Sequence, residues 1–257
     1  MIALPAELID LTGALLWQFA AVLLRTGAMV SVMPGFGAQM VPARIKIGIA
    51  LAFSAIVAPA VPAFAPPQSI GAFAGFAATE TVIGLAFGIG LRLFILALQT
   101  AGAIAANATS LAQILGGAAV EPLPAISFLL VVGGLALATI FGLHIQAAEL
   151  LVLSYDIFPA GQFPEGQVLS SWGVAQIKRA FALAFTLAAP FVIASLIYNL
   201  ALGAINRAMP QLMVAFVGAP VITFGALAIL MISAPAMLSV WVAALNGFFA
   251  NPMAPVP

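Results

Sequence analysis

The sequence predicts an all-α membrane protein with about six apolar helical segments, several of them broken or hairpin-like. The first observation is composition: 65% of the 257 residues are hydrophobic and only 5% are charged, whereas a soluble domain carries about 25% charged residues. The second is length, which allows roughly six to eight membrane crossings of about 20 apolar residues each. The third is the repeated interruption of apolar windows by proline and glycine. We expect one integral membrane domain over residues 1–257, and a water-soluble globule is excluded.

Composition also argues against several kinds of chemistry. The net charge is zero, and the only adjacent basic pair is Lys178-Arg179, so the chain has no surface suited to several phosphates and nucleic acid is not an expected partner. There are no cysteines and one histidine, His144, which removes thiolate chemistry and multi-histidine metal sites. No hydrolase elbow or phosphate-binding loop is present. We therefore expect no cofactor, no metal and no enzymatic activity.

Breaker clusters divide the first half of the chain into three apolar windows. Residues 13–33 form the first window, and the prolines and glycines that follow it predict a loop carrying Arg44. Residues 45–57 form the second window, which closes at a proline-rich stretch. The third window, residues 70–99, is longer than a bilayer requires, so it must tilt, bend or protrude.

Two glycine pairs in the third window predict close helix contacts. Gly71 and Gly75 form one pair, and Gly84 and Gly88 form the other. A spacing of four residues places both glycines of a pair on one helix face, where a second backbone can approach closely. We expect this face to pack against another helix.

The second half contains less regular features. Residues 100–121 are small and polar for this chain, which predicts an irregular segment before the fourth window at residues 125–153. A polar loop follows, and two long windows then fill residues 172–250. Prolines at Pro190, Pro220 and Pro235 predict that these last windows are broken helices, a backbone that membranes tolerate only against protein or a water-filled cavity.

Five ionisable residues lie within or at the ends of the apolar windows, where an ionised side chain costs at least about 2.5 kcal/mol unless it is paired or wet. They are Arg25, Glu80, Arg92, His144 and Glu149. A proton or ion relay is one interpretation, and structural ion pairs or snorkelling side chains are the other. The scatter of acids and bases along the chain favours the second. Glu80 and Arg92 are about three turns apart on one helix, so any partner must come from another helix or another chain.

Three strings in the C-terminal third are distinctive: NLALGAINR at residues 199–207, PQL at residues 210–212 and VGAP at residues 217–220. Leu24-Arg25 in the first window and Gly142-Leu143-His144 in the fourth keep the same order along the chain. Together these residues resemble the FliR family of flagellar type III export-gate membrane proteins. The resemblance covers nearly the whole chain.

The resemblance implies a subunit of the flagellar export gate, forming part of the channel for unfolded flagellar proteins across the bacterial inner membrane at the basal body. It implies FliP-like and FliQ-like membrane subunits, FlhB and FlhA as partners, unfolded export substrates as cargo, and surrounding lipid.

The resemblance also suggests roles for particular residues. It places a channel plug at about residues 107–121, with Asn107, Ser110, Gln113, Gly116, Gly117 and Glu121 as its candidate residues. It suggests structural or inter-subunit roles for Arg25, Arg44, Glu80, Arg92, Asn206, Arg207, Pro210 and Gln211. The few buried charges are expected to pair with neighbouring subunits.

The sequence departs from the family pattern in the segment assigned to the plug. Glu121 stands where the family usually has Asp, and Gly116-Gly117 differs from better-known members. An export gate of a virulence injectisome is the alternative within the same superfamily, but the segment after Pro220, VITFG, lacks the lysine associated with those relatives. A small secondary transporter is the rival from another class, although the sequence has no internal repeat to support it.

Overall fold

The described part of the chain is built from helices. The computed structural model of the protein describes residues 6–38, 40–109, 124–209 and 214–254. Within those ranges every regular element is helical, which confirms the predicted all-α fold. The helices are α1 (Ala6–Val32), α2 (Ala43–Val57), a 3₁₀ turn (Ala58–Ala60), α3 (Ile70–Thr109), α4 (Ala125–Ile140), α5 (Leu143–Ile157), α6 (Gly166–Ala208) and α7 (Val214–Ala250).

The helices are long and apolar enough for a membrane protein. Among the described residues, five helical stretches could each cross a bilayer by length and composition: Leu11–Val32, Ala43–Ala60, Ile70–Thr109, Gly166–Ala208 and Val221–Ala250. α4 and α5 meet this criterion only as a pair, as one broken span. The break lies just before α5, where Gly142 has a left-handed φ of 77° that favours glycine. Up to six spans agree with the predicted number.

The third helix is longer than the sequence analysis predicted. α3 has 40 residues and ends at Thr109, so the prediction of irregular chain from residue 100 is wrong for residues 100–109. Alanine dominates these positions, and alanine is the best helix former of all residues. The hydroxyl of Thr109 also donates to the carbonyl oxygen of Ala105 at 2.9 Å, one turn back. Small side chains here extend a helix of about 60 Å.

The predicted proline breaks in the last two windows are also wrong. α6 continues for 43 residues through Pro190, and α7 continues for 37 residues through Pro220 and Pro235. Each proline removes one backbone hydrogen bond, whereas ending the helix would expose several unpaired N–H and C=O groups to an apolar environment. An unbroken helix therefore costs less than a break in this environment.

The first of two compact units contains Met1–Arg92 and Thr139–Gln176. Within it, α2 packs against α1 and α5. α1 supplies much of the core, with Ala21, Val22, Met29 and Val30 almost fully buried. Arg25 and Thr26 are buried between them, so buried pairs recur every four residues, as expected for one buried face of a helix.

The second unit contains Leu93–Ala138 and Ile177–Pro257. Here α4 approaches the C-terminal part of α3 closely. The backbone of Ser127 occupies the place where a side chain at position 102 would put its Cβ, and Gly102 leaves that place free. The Ser127 hydroxyl donates to the carbonyl oxygen of Gln99 at 3.0 Å. Buried Trp241 of α7 donates its ring N–H to the carbonyl oxygen of Phe94 at 2.8 Å. Small residues and two side-chain hydrogen bonds, one of them fully buried, thus join α3, α4 and α7.

Candidate functional site

The second glycine pair of α3 lies against α1 in the first unit. A Cβ at Gly84 would lie 2.9 Å from the Cβ of Ala28 and closer still to the carbonyl oxygen of Arg25. A Cβ at Gly88 would lie 2.8 Å from the carbonyl oxygen of Met29. The absence of both side chains lets the two backbones approach closely.

The other glycine pair on α3 has no comparable neighbour. A Cβ at Gly71 or at Gly75 would meet nothing within 4 Å among the described residues. Among the described residues, the same glycine spacing therefore has a close neighbour near the middle of α3 and none at its N-terminal end.

A buried ion pair lies one turn before Gly84. Arg25 of α1 and Glu80 of α3 are both fully buried, and the guanidinium holds the carboxylate through two parallel contacts. The Arg25 Nε donates to Glu80 Oε2 at 2.8 Å, and Nη2 donates to Oε1 at 3.1 Å. Bidentate pairing of this kind is the strongest arrangement available to an arginine and a carboxylate. The partner of each charge comes from another helix of the same chain.

The remaining donors of Arg25 reach the C-terminal end of α5. Its Nη1 donates to the carbonyl oxygen of Ser154 at 2.9 Å and to the Ser154 hydroxyl at 3.0 Å. Its Nη2 donates to the carbonyl oxygen of Phe158 at 3.0 Å. All five N–H groups of the guanidinium are therefore satisfied, and the cation sits at the C-terminal end of α5, where the helix dipole places partial negative charge.

Two further contacts complete this site. The guanidinium carbon of Arg25 lies 3.7 Å from the centre of the Tyr155 ring, a cation–π contact. The backbone N–H of Gly161 donates to Glu80 Oε1 at 3.0 Å. Gly161 has a φ of 73°, and a Cβ there would lie 2.8 Å from the Phe76 ring. Only glycine fits this turn without strain.

This geometry favours a structural role. The two charges pair with each other, and both side chains are also hydrogen-bonded to the end of α5 or to the loop that follows it. The pair therefore ties α1, α3, the end of α5 and the loop at residues 158–161 to one point. We call this set of contacts, made by Arg25, Glu80, Ser154, Phe158 and Gly161, the charge clasp.

A second polar contact in the same unit holds the proline-rich stretch after α2. The side-chain nitrogen of Gln18 lies 3.1–3.4 Å from three carbonyl oxygens, those of Ala58, Val61 and Pro62. Its oxygen accepts from the N–H of Phe64 at 3.3 Å, and the neighbouring Trp17 ring N–H donates to the Phe64 carbonyl oxygen at 3.2 Å. Side chains of α1 therefore satisfy a stretch that cannot form its own helical hydrogen bonds.

The structure does not gather the other predicted site residues into one place. The exposed ones are Arg44 at the start of α2, Arg92 and Asn107 on α3, and Asn206 and Arg207 at the end of α6. Asn107 is helical, within the last turn of α3. The remaining candidates lie outside the described residues: Ser110, Gln113, Gly116, Gly117, Glu121, Pro210 and Gln211.

His144 and Glu149 are both exposed on α5. Among the described residues, no group of three His, Cys, Asp or Glu side chains could hold a metal ion.

Sequence reasoning found Arg25 and Glu80 but not their neighbours. Ser154, Phe158 and Gly161 contribute one hydroxyl and backbone groups to the clasp, and such groups leave no compositional signal. The signal for the pair itself was present, because Arg25 and Glu80 are opposite charges that each interrupt an apolar window. The signal for Gln18 was an amide within the apolar part of α1.

The helices and the clasp define a class: a multi-pass α-helical membrane protein with a buried ion pair between two of its own helices. Comparison with known proteins gives the family. The chain belongs to the family described as "Bacterial export proteins, family 1", whose profile matches residues 16–248. This is the type III export family that the sequence resemblance indicated, which confirms that interpretation.

Three relatives illustrate the similarity, and each is called flagellar biosynthetic protein FliR. The protein from Caulobacter vibrioides is 36% identical over 86% of this chain and 90% of its own length. The protein from Escherichia coli is 30% identical over 77% of each chain. The protein from Bacillus subtilis is 30% identical over 83% of each chain.

Proposed function

We propose that this chain is a subunit of the flagellar type III export gate and forms part of the channel through which unfolded flagellar proteins cross the bacterial inner membrane. The observation that carries the proposal is the family match over residues 16–248. Its relatives are named for flagellar biosynthesis, which favours the flagellar branch over an injectisome. In this role the chain is a conduit component and not an enzyme.

Partners follow from the same proposal. FliP-like and FliQ-like membrane subunits would pack beside the chain, FlhB and FlhA would complete the apparatus, and unfolded export substrates would pass through it. Large exposed apolar side chains on α6 and α7 support this, since lipid or other membrane helices must cover them. Examples are Phe185, Ile197, Phe224, Met231 and Ile232.

The charge clasp supports a conduit over a secondary transporter. A coupling site needs ionisable groups that can bind and release an ion or a proton at the substrate site. Arg25 and Glu80 are instead fully buried and saturated with partners in this chain. Their contacts are those of a structural ion pair that holds helices together.

The direct test is loss and rescue of export. Cells lacking the gene should accumulate flagellin internally, secrete none and be non-motile, and expression of this chain should restore secretion. Normal secretion and motility in the deletion strain would overturn the proposal. Proton flux measured in vesicles containing this chain alone would instead favour the transporter.

A further inference from the structure

A groove on the surface of the first unit combines apolar walls with two acidic side chains. It lies between the end of α2 with the following 3₁₀ turn on one side and α5 on the other, and its volume is about 440 Å³. The apolar lining consists of Ile56, Ala60, Ala148, Val152 and Leu153. The acidic residues are Glu149 and Asp156. A volume of this size can hold more than one side chain of a partner.

The two acids lie on one face of α5. They are seven positions apart, which is close to two full helical turns or about 10 Å along the axis. Val152 and Leu153 lie between them on the same face, so the acids border an apolar stripe. This face of α5 is complementary to a second helix that packs along it, with apolar contacts in the middle and charged contacts at the two ends.

Neither carboxylate has a partner within the described part of the chain. Both side chains are exposed, and neither forms an ion pair or hydrogen bond with any described residue, in contrast to Glu80. α5 is part of a broken membrane span, and an unpaired ionised group in such a segment is unfavourable. Glu149 and Asp156 are therefore available for charge compensation by water or by a group outside the described part of the chain.

We propose that this groove, bounded by α2 and α5, receives a transmembrane helix of a neighbouring export-gate subunit that carries lysine or arginine toward Glu149 and Asp156. The alkyl stem of a basic side chain suits the apolar walls, and its charged end suits the carboxylates at the borders. The occupant is a helix because the apolar and acidic positions continue along two turns of α5. Burial of both partners removes water and strengthens their attraction.

Charge reversal with second-site rescue tests this docking surface in the assembled complex. Glu149→Lys and Asp156→Lys should each reduce the amount of partner subunits recovered with the tagged chain by about tenfold or more. Replacement of one basic residue by glutamate in an apolar helix of a partner should restore recovery and motility. The matched control is Glu165→Lys, an exposed carboxylate in the polar loop before α6, which should leave recovery unchanged. Normal recovery with both reversed charges overturns the proposal.

A cross-linking experiment tests the docking surface even if the Glu149→Lys and Asp156→Lys variants fail to fold. The chain has no cysteine, so Ala148→Cys places a single thiol in the groove and leaves both acids in place. A thiol-directed photo-cross-linker in native membranes should capture a peptide of another gate subunit next to a lysine or arginine. Capture of a second copy of this chain, or of lipid only, overturns the proposal.

Because this docking surface rests on the proposed function, the deletion strain serves as the reference. Export that needs the gene but is unaffected by both charge reversals would reject the docking surface alone. Export that does not need the gene would reject the proposed function.

Discussion

At the scale of single residues, the charge clasp shows how a membrane protein can bury a full charge. Arg25 donates hydrogen bonds to two carboxylate oxygens, one hydroxyl and two carbonyl oxygens. A buried pair of this quality is close to neutral when replaced as a unit, but removal of one partner leaves a buried charge with no compensation.

The double replacement should therefore destabilise the protein less than either single replacement, whereas simple addition would predict that it destabilises the protein more. We expect Arg25→Ala or Glu80→Ala to destabilise the folded chain by about 3–5 kcal/mol. The double variant Arg25→Met with Glu80→Met should be more stable than either single variant, because it leaves no unpaired charge. Denaturant unfolding in detergent measures the difference. A double variant as unstable as the sum of the singles would contradict this account of the clasp.

The sequence could indicate the members of the ion pair but not their pairing. The Glu80 carboxylate is 55 positions from Arg25, and the carbonyl oxygens of Ser154 and Phe158 are 129 and 133 positions away. No local pattern links residues at such separations. The expectation that buried charges pair with neighbouring subunits was wrong for Arg25 and Glu80, because α3 brings the partner within this chain.

At the scale of elements, small residues determine where helices meet. Gly84 follows Glu80 by one turn and lies against the carbonyl oxygen of Arg25. The close approach at Gly84 brings α1 and α3 near enough for the short Glu80 side chain to reach Arg25 through both oxygens. Packing and charge pairing in this unit therefore depend on each other.

The two glycine pairs of α3 provide a matched comparison. Gly84→Ala should destabilise the protein by about 1–3 kcal/mol, because the added methyl group must push α1 away. Gly75→Ala should be neutral or stabilising by up to about 1 kcal/mol, since its surroundings are open and alanine is the better helix former. Thermal unfolding of both variants in the same detergent measures the contrast. Equal effects would show that the α1 contact at Gly84 is not tight.

The contacts of Gln18 predict a second matched comparison. Gln18→Leu should cost about 1–3 kcal/mol, because it keeps the volume but leaves the buried carbonyl groups of Ala58 and Val61 without the Gln18 amide as a donor. Gln68→Leu is the control, since Gln68 is exposed and the change should have little effect. The unfolding midpoint of each variant provides the measurement, and a Gln18→Leu protein as stable as the control would remove this role.

Proline predicted the ends of some helices correctly and predicted breaks in others that are absent from the structure. The clusters after α1 and α2 end helices as predicted, because several prolines and glycines occur together. Pro190, Pro220 and Pro235 occur singly within long apolar helices. A single missing N–H is a small loss for such a helix, and the pattern alone could not weigh it against the cost of a break.

At the scale of the whole molecule, the exposed apolar surface determines how stable the chain is without lipid or protein around it. Phe224, Met231 and Ile232 of α7 are each 76% exposed, so this helix needs lipid or protein around it. The proposed packing against other subunits predicts that the chain is short-lived without them. Pulse-chase labelling should show a longer half-life when FliP-like and FliQ-like subunits are co-expressed, and an equal half-life in both backgrounds would argue for a self-sufficient protein.

The family resemblance predicts a channel plug at about residues 107–121, and its test requires the assembled channel. Because α3 continues to Thr109, the informative change is replacement of residues 110–121 by a glycine-serine linker of equal length, which keeps the helix intact. A plug in this segment predicts that the variant makes cells containing the full complex permeable to small solutes. Uptake of a membrane-impermeant dye measures this, with the intact chain at equal expression as control, and unchanged uptake would count against a plug.

The amide of Gln18 has one further consequence, for the depth of the turn after α2. Water is the usual donor to the carbonyl groups of a proline-rich connection, and for this reason such connections normally mark the edge of a bilayer. Here a side chain from α1 takes over that task for Ala58, Val61 and Pro62. These three carbonyl groups therefore do not depend on water for a partner, which lowers the free-energy cost of bringing this part of the connection closer to the hydrocarbon.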